Sequence, residues 1–162
     1  MKRTYQVKGG IYQYLCYNLM EASRKECDHI LEAMNEDCND PNLFMENVMT
    51  NLKNWEGFVK KFTKPRERGA YTFEDYDLEA FAYLVRVAVE NLEKETEETL
   101  KTFADISKIT IRDFNFRFYN FARIVFFEYA YEIKDVYPDD AEYWTQRGKE
   151  INTKIEKILY KN

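Results

Sequence analysis

Turn-making residues are scarce, with five glycines and three prolines in 162 residues. An all-β sandwich needs a cluster of such residues after each short strand, so this scarcity excludes that class and points to helices. Histidine is scarcer still. His29 stands alone, so the Glu-x-x-His pairs of a di-iron bundle cannot be completed even with Glu26 three residues before it. The three cysteines, Cys16, Cys27 and Cys38, form no C-x-x-C pair and recur every eleven residues. On a continuous helix Cys16 and Cys27 would lie on one face roughly 16 Å apart, beyond disulfide reach. With no second histidine to complete a zinc site, they read as small core residues. No metal and no cofactor is expected.

Long apolar runs are missing too. No stretch approaches the ~18 uncharged apolar residues of a membrane span, and no apolar run follows the basic start MKRTYQVKGG, so the expectation is a cytoplasmic protein without membrane contact. The net charge is only -5 although 33% of residues are charged, which excludes a polyanion or a basic arm and any wholesale attraction to nucleic acid or anionic lipid. Gly9-Gly10 has no GxGxxG or GxxxxGK context, and neither GxSxG nor a Ser/His/Asp set occurs. Nucleotide-fold and hydrolase readings are unsupported.

What is abundant is aromatic. Residues Phe114 to Tyr131 read FNFRFYNFARIVFFEYAY, nine rings in eighteen residues. Phe114, Phe116 and Phe118 alternate as in a strand, but Ile109 and Ile111 fall on the opposite phase, so the alternation does not persist. At helical spacing, Asp113, Arg117, Asn120, Ile124, Glu128, Tyr131 and Asp135 form one mostly polar stripe, and the rings cover the rest. The segment is therefore expected to be a helix covered on several sides, the centre of a bundle.

Capping signals divide the chain further. Asp40 before Pro41, Thr72 with Asp75, Thr110 with Asp113 and Asp139 with Glu142 mark helix starts. The expected fold is all-α, a single domain over residues 1–162, with about five helices spanning residues 11–35, 41–62, 73–106, 110–135 and 140–160. Tyr12, Cys16, Leu19, Ser23, Cys27, Ile30 and Met34 give the first helix its core stripe. Met45, Val48, Leu52, Trp55, Val59 and Phe62 do so for the second, widened by Phe44, Met49 and Phe58. The third would extend about 50 Å, so it bends or projects. Its ENLEKETEE segment, from Glu90 to Glu98, holds five acids and one lysine and should be solvated.

Three functional readings follow. The plainer account gives all nine rings to the bundle core; the sharper one notes that a ring buries about 150–250 Å², so that if a small bundle does not cover nine alone, the surplus would meet a protein partner or a second copy of the chain. The first reading is therefore a non-catalytic accessory, regulatory or inhibitory protein that binds another macromolecule through Glu90, Glu93 and Glu97 or through Phe116 and Tyr119. The second places nucleic acid on the loop KKFTKPRERGAY, where Lys60, Lys61, Lys64, Arg66 and Arg68 face a single Glu67, with Phe62 and Tyr71 as stacking surfaces. The plainer account of that loop is a solvated helix end. The third concerns RKECDH, Arg24 to His29, which resembles the Arg-x4-His signature of HEPN ribonucleases. These are small all-helical domains in which the arginine and histidine assemble an RNA-cleaving site across a dimer. The resemblance covers six residues and the fold class, and implies Arg24 and His29 as the catalytic pair. On one regular helix those side chains point about 140° apart, so a single helix does not converge them.

Overall fold

A computed structural model describes residues 3–36 and 40–160, without the side chains of residues 34–36, 75 and 76. Cys38 and the side chains of Met34 and Asp75, named above, lie outside the described residues. The chain is mostly helical, as expected. In order it forms β1 (Arg3–Gln6), α1 (Gly9–Tyr17), α2 (Leu19–Glu36), α3 (Pro41–Thr63), a 3-10 turn (Glu67–Gly69), β2 (Ala70–Phe73), α4 (Asp75–Leu92), α5 (Glu97–Ile106), α6 (Ile111–Ile133) and α7 (Pro138–Leu159).

Seven α-helices thus stand among the described residues where about five were expected, because two long stretches break. The first breaks at Asn18. Its buried side chain donates from Nδ2 to the Tyr14 carbonyl at 2.8 Å and accepts at Oδ1 from Asn91 of α4 at 2.7 Å, which satisfies an end-of-helix carbonyl inside the core. The 73–106 stretch breaks at Thr96, whose side chain accepts from the Thr99 N–H at 3.1 Å. Glu97 and Glu98 in the first turn of α5 then favour a helix N-terminus there. The acidic segment therefore bends the chain and does not project as one rod.

The start signals divide evenly. Asp40 accepts from the Asn42 and Leu43 N–H groups, and Thr110 accepts from Asp113 N–H at 3.1 Å. Thr72 instead belongs to β2, with Glu74 preceding α4, and α7 begins at Pro138, two residues before the expected start. Proline at a first helical position loses no useful hydrogen bond. The two short strands were not foreseen. They pair antiparallel with Tyr5 opposite Tyr71, and Tyr5, Tyr71 and Phe73 turn inward. Four residues are too few for alternation to register, and the pairing joins segments far apart in sequence.

α6 lies at the centre, packed along α7 on one side and meeting α4, α5 and α1 on others. Phe114, Phe118, Tyr119, Phe126 and Tyr129 are buried, Phe116, Phe121 and Phe127 are half-buried, and only Tyr131 is exposed, at 63%. Every member of the anticipated polar stripe is exposed or half-buried. Gly148 of α7 lets the two helices close in, since a Cβ there would stand 2.6 Å from the Phe127 ring. β1 is fastened onto the same helix by Tyr5, whose hydroxyl donates to Glu128 at 2.7 Å, and by the Arg3–Glu132 ion pair.

The stripe on α3 is covered over part of its length. Trp55, Phe58 and Phe62 are buried, and Trp55 Nε1 donates to Ser23 of α2 at 2.9 Å. Met45 and Met49, expected inside, are 53% and 49% exposed although Val48 between them is buried, because neighbours cover a narrower strip of the first turns of α3 than its apolar residues occupy. No helix among the described residues is long and apolar enough to cross a membrane.

Candidate functional site

The residues singled out by sequence scatter over the molecule. Glu90 is half-exposed, lies 3.7 Å from Arg86 and approaches Lys25 at 3.9 Å. Glu93 pairs with Lys154 of α7, and Glu97 sits exposed in the first turn of α5. Phe116 is half-buried against the core and Tyr119 is buried within it. In the basic loop, Lys60 pairs with Glu56 at 3.0 Å and Lys61 with the buried Asp77, while Lys64, Arg66 and Arg68 are exposed. Arg24 lines a groove of about 670 Å³ with Tyr17, Met20 and Glu95, whereas His29 lines a different concavity. One chain does not bring them together. Asp113 and Arg117, one turn apart on the polar stripe of α6, make no ion pair with each other among the described residues.

The concavity that holds His29 gathers the densest chemistry. It is a cleft of about 280 Å³ between four helices. α2 contributes Glu26 and His29, which share a face at i, i+3. α4 contributes Glu79, Tyr83 and Arg86 at i, i+4, i+7. α6 contributes Tyr129, and α7 contributes Asp140, Tyr143 and Trp144. Tyr129 stands edge-on to Trp144 at 5.4 Å, Tyr143 edge-on to Trp144 at 5.3 Å, and His29 stacks on Tyr83 at 6.2 Å.

Arg86 is built into the wall. Its guanidinium lies 4.7 Å from the Tyr83 ring centroid, 5.8 Å from Tyr143 and 5.9 Å from Trp144, and Nη1 donates to the Tyr143 hydroxyl at 2.7 Å. Cation and ring faces attract through the ring quadrupole, and more strongly where water is excluded. Burial pushes the Glu26 carboxyl up to about 7, the nearby Glu79 charge adds to this, and Arg86 opposes it. Glu79 is shifted the same way, first by loss of solvent around it and then by Asp140, with His29 pulling back. A carboxyl that titrates near neutrality in a concave site is the kind of perturbation that ligand sites produce.

Sequence reading missed this site because its members are ordinary charged and aromatic residues on four separate helices. The local signals were Glu26 and His29 on one face of α2 and Glu79, Tyr83 and Arg86 on one face of α4. Among the described residues no group of three or more His, Cys, Asp or Glu side chains is placed to hold a metal ion. Neither a family model, nor a curated protein, nor a solved structure matches the chain.

Proposed function

We propose that this is a non-catalytic accessory, regulatory or inhibitory protein that acts by binding another protein. The observation that carries the reading is the uncovered apolar surface on the first turns of α3, beside the buried Val48. Leu43, Met45 and Met49 are about half-exposed on the same helix whose later turns are buried. Apolar side chains that continue a core stripe beyond the fold's own cover form an edge suited to a partner's apolar surface, and methionine adapts to varied partners. Glu90 and Glu97 supply acidic surface elsewhere for a basic partner rim.

The test is capture from nuclease-treated host lysate with the full chain and with a Met45→Glu/Met49→Glu variant, followed by affinity measurement on the purified partner. Loss of a defined protein by a folded variant supports the reading, and equal capture by both sinks it. Self-association belongs to the same test, because a concentration-dependent dimer abolished in the variant makes the partner a second copy.

A second reading rests on Lys64, Arg66 and Arg68, which are exposed with no ion pair among the described residues. If the loop holds nucleic acid, affinity falls steeply with salt and drops when the three are neutralised. Salt-independent binding removes this reading.

A further inference from the structure

Where the start of α1 meets the basic loop, the fold gathers positive charge that the chain does not answer. Val7 N–H donates to the Gly69 carbonyl at 2.8 Å, and a Cβ on Gly69 would stand 2.8 Å from the Lys8 Cβ. Gly10 N–H donates to Ser107 Oγ at 2.8 Å, which joins α1 to the link between α5 and α6. Lys8, Gly9, Ser107 and Arg117 then line one concavity of about 400 Å³. Lys8 thereby connects the loop cations Lys64, Arg66 and Arg68 with Arg117 and with Lys108, the neighbour of Ser107 in the chain. All six are exposed, and none has an ion pair or a side-chain hydrogen bond among the described residues. Arg112 is engaged elsewhere, donating to the Ile158 carbonyl at 3.2 Å. Residues 6–11, 63–69 and 107–117 contain no acids but Glu67 and Asp113. A chain of net charge -5 has thus concentrated cations locally, which raises the potential felt by an anionic partner.

We propose that this surface binds the phosphate backbone of a nucleic-acid duplex, an inference that rests on the nucleic-acid reading of the basic loop and extends it to Lys8, Lys108 and Arg117. The surface suits phosphates better than bases. Phe62 and Tyr71, the rings that would stack on unpaired bases, are buried, so contact is left to charge. A duplex carries about one charge per 1.7 Å of its axis, twice the density of a single strand. An acidic protein is the poorer fit. Protein interfaces have an apolar centre, and apart from Ile106 at the end of α5 no large apolar side chain is exposed in these segments or next to them.

The backbone beneath the cations agrees with such a role. Among the described residues the non-glycine positions with left-handed backbone are Arg68, at φ 61°, and Lys108, at φ 57°. Glycine or asparagine would sit there with less strain. Both positions carry a cation instead, and strained residues gather where a ligand is met.

The experiment is fluorescence anisotropy of the full chain with labelled DNA and RNA duplexes of about 20 base pairs, with the DNA single strand and with polyglutamate, from about 50 to 300 mM salt. Each phosphate neutralised contributes about 0.9 to the slope of log affinity against log salt, so six cations give a slope of about -5 and the loop alone about -3. Lys8→Gln/Lys108→Asn/Arg117→Gln, folded by circular dichroism, should bind the duplex at least about tenfold more weakly and show the shallower slope. Binding of either duplex with the steep slope supports the proposal, and the tighter duplex names the source. A wild-type slope near that of the loop alone, or undiminished affinity in the folded variant, overturns the extension and leaves the loop reading standing. No duplex binding at low salt removes both. Tighter binding of the single strand overturns the choice of a duplex, and tighter binding of polyglutamate overturns the proposal in favour of an acidic protein.

Discussion

Gly10 has a neighbour's backbone where its side chain would begin. A Cβ there would fall 2.2 Å from the Phe103 carbonyl oxygen of α5, while the Gly10 N–H donates to Ser107 Oγ at 2.8 Å. A backbone carbonyl cannot rotate aside as a side chain does, so Gly10→Ala should force α1 off α5 and cost about 2–3 kcal/mol, measured as a lower urea midpoint. In the sequence Gly9-Gly10 showed only the lack of a phosphate-binding context, because a close helix approach leaves no motif around it. Glu26 illustrates a second single-residue effect. The folded state holds its proton more tightly than the unfolded chain, so its penalty is absent below about pH 4.5, grows with pH, and is complete above about pH 7. Glu26→Gln removes that penalty. The stability of this variant relative to wild type should therefore rise between pH 5 and pH 8, by on the order of 2–3 kcal/mol, in parallel denaturant titrations.

Among elements, helix pairs are joined by contacts that periodicity does not reveal. Lys61 near the end of α3 pairs with Asp77 in α4, whose side chain is 4% exposed while that of the lysine is 35% exposed. Lys61→Met leaves a buried carboxylate without its cation and should destabilise by about 2–3 kcal/mol, less than for a fully buried pair because the lysine end meets water. Asp77→Asn/Lys61→Met should recover part of the loss. α6 and α7 depend instead on the absence of a side chain at Gly148. Gly148→Val drives methyl groups into the Phe127 ring and should cost about 1–3 kcal/mol, with Phe127→Ala as a partial second-site rescue in thermal unfolding. The sequence disclosed α6 and its polar stripe because 23 helical residues keep one period. It hid the breaks at Asn18 and Thr96, because a single buried amide or one capping hydroxyl ends a helix without disturbing the apolar spacing on either side. It overstated the burial of Met45 and Met49, which flank the buried Val48, since a stripe records which face is apolar and not how wide a strip of it a neighbour covers.

At the scale of the whole molecule the nine-ring segment is absorbed almost entirely by the fold, with Tyr131 the one exposed ring. The surplus apolar surface lies on α3, so the Met45→Glu/Met49→Glu variant should keep wild-type stability within about 0.5 kcal/mol while changing association, read by sedimentation and by denaturant titration. The four-helix cleft was illegible in sequence because its chemistry is created by assembly, from residues on α2, α4, α6 and α7 that no local window contains. Assembly also sets an order of events during synthesis. Arg3 and Glu132, which end up paired, are separated by 129 positions. At about 5–20 residues per second the first strand waits roughly 6–26 s after it is made before the helix that fastens it has been polymerised. β2, its pairing partner, is made well before that helix, so the two strands can pair during synthesis while the contacts that fasten them to α6 must wait.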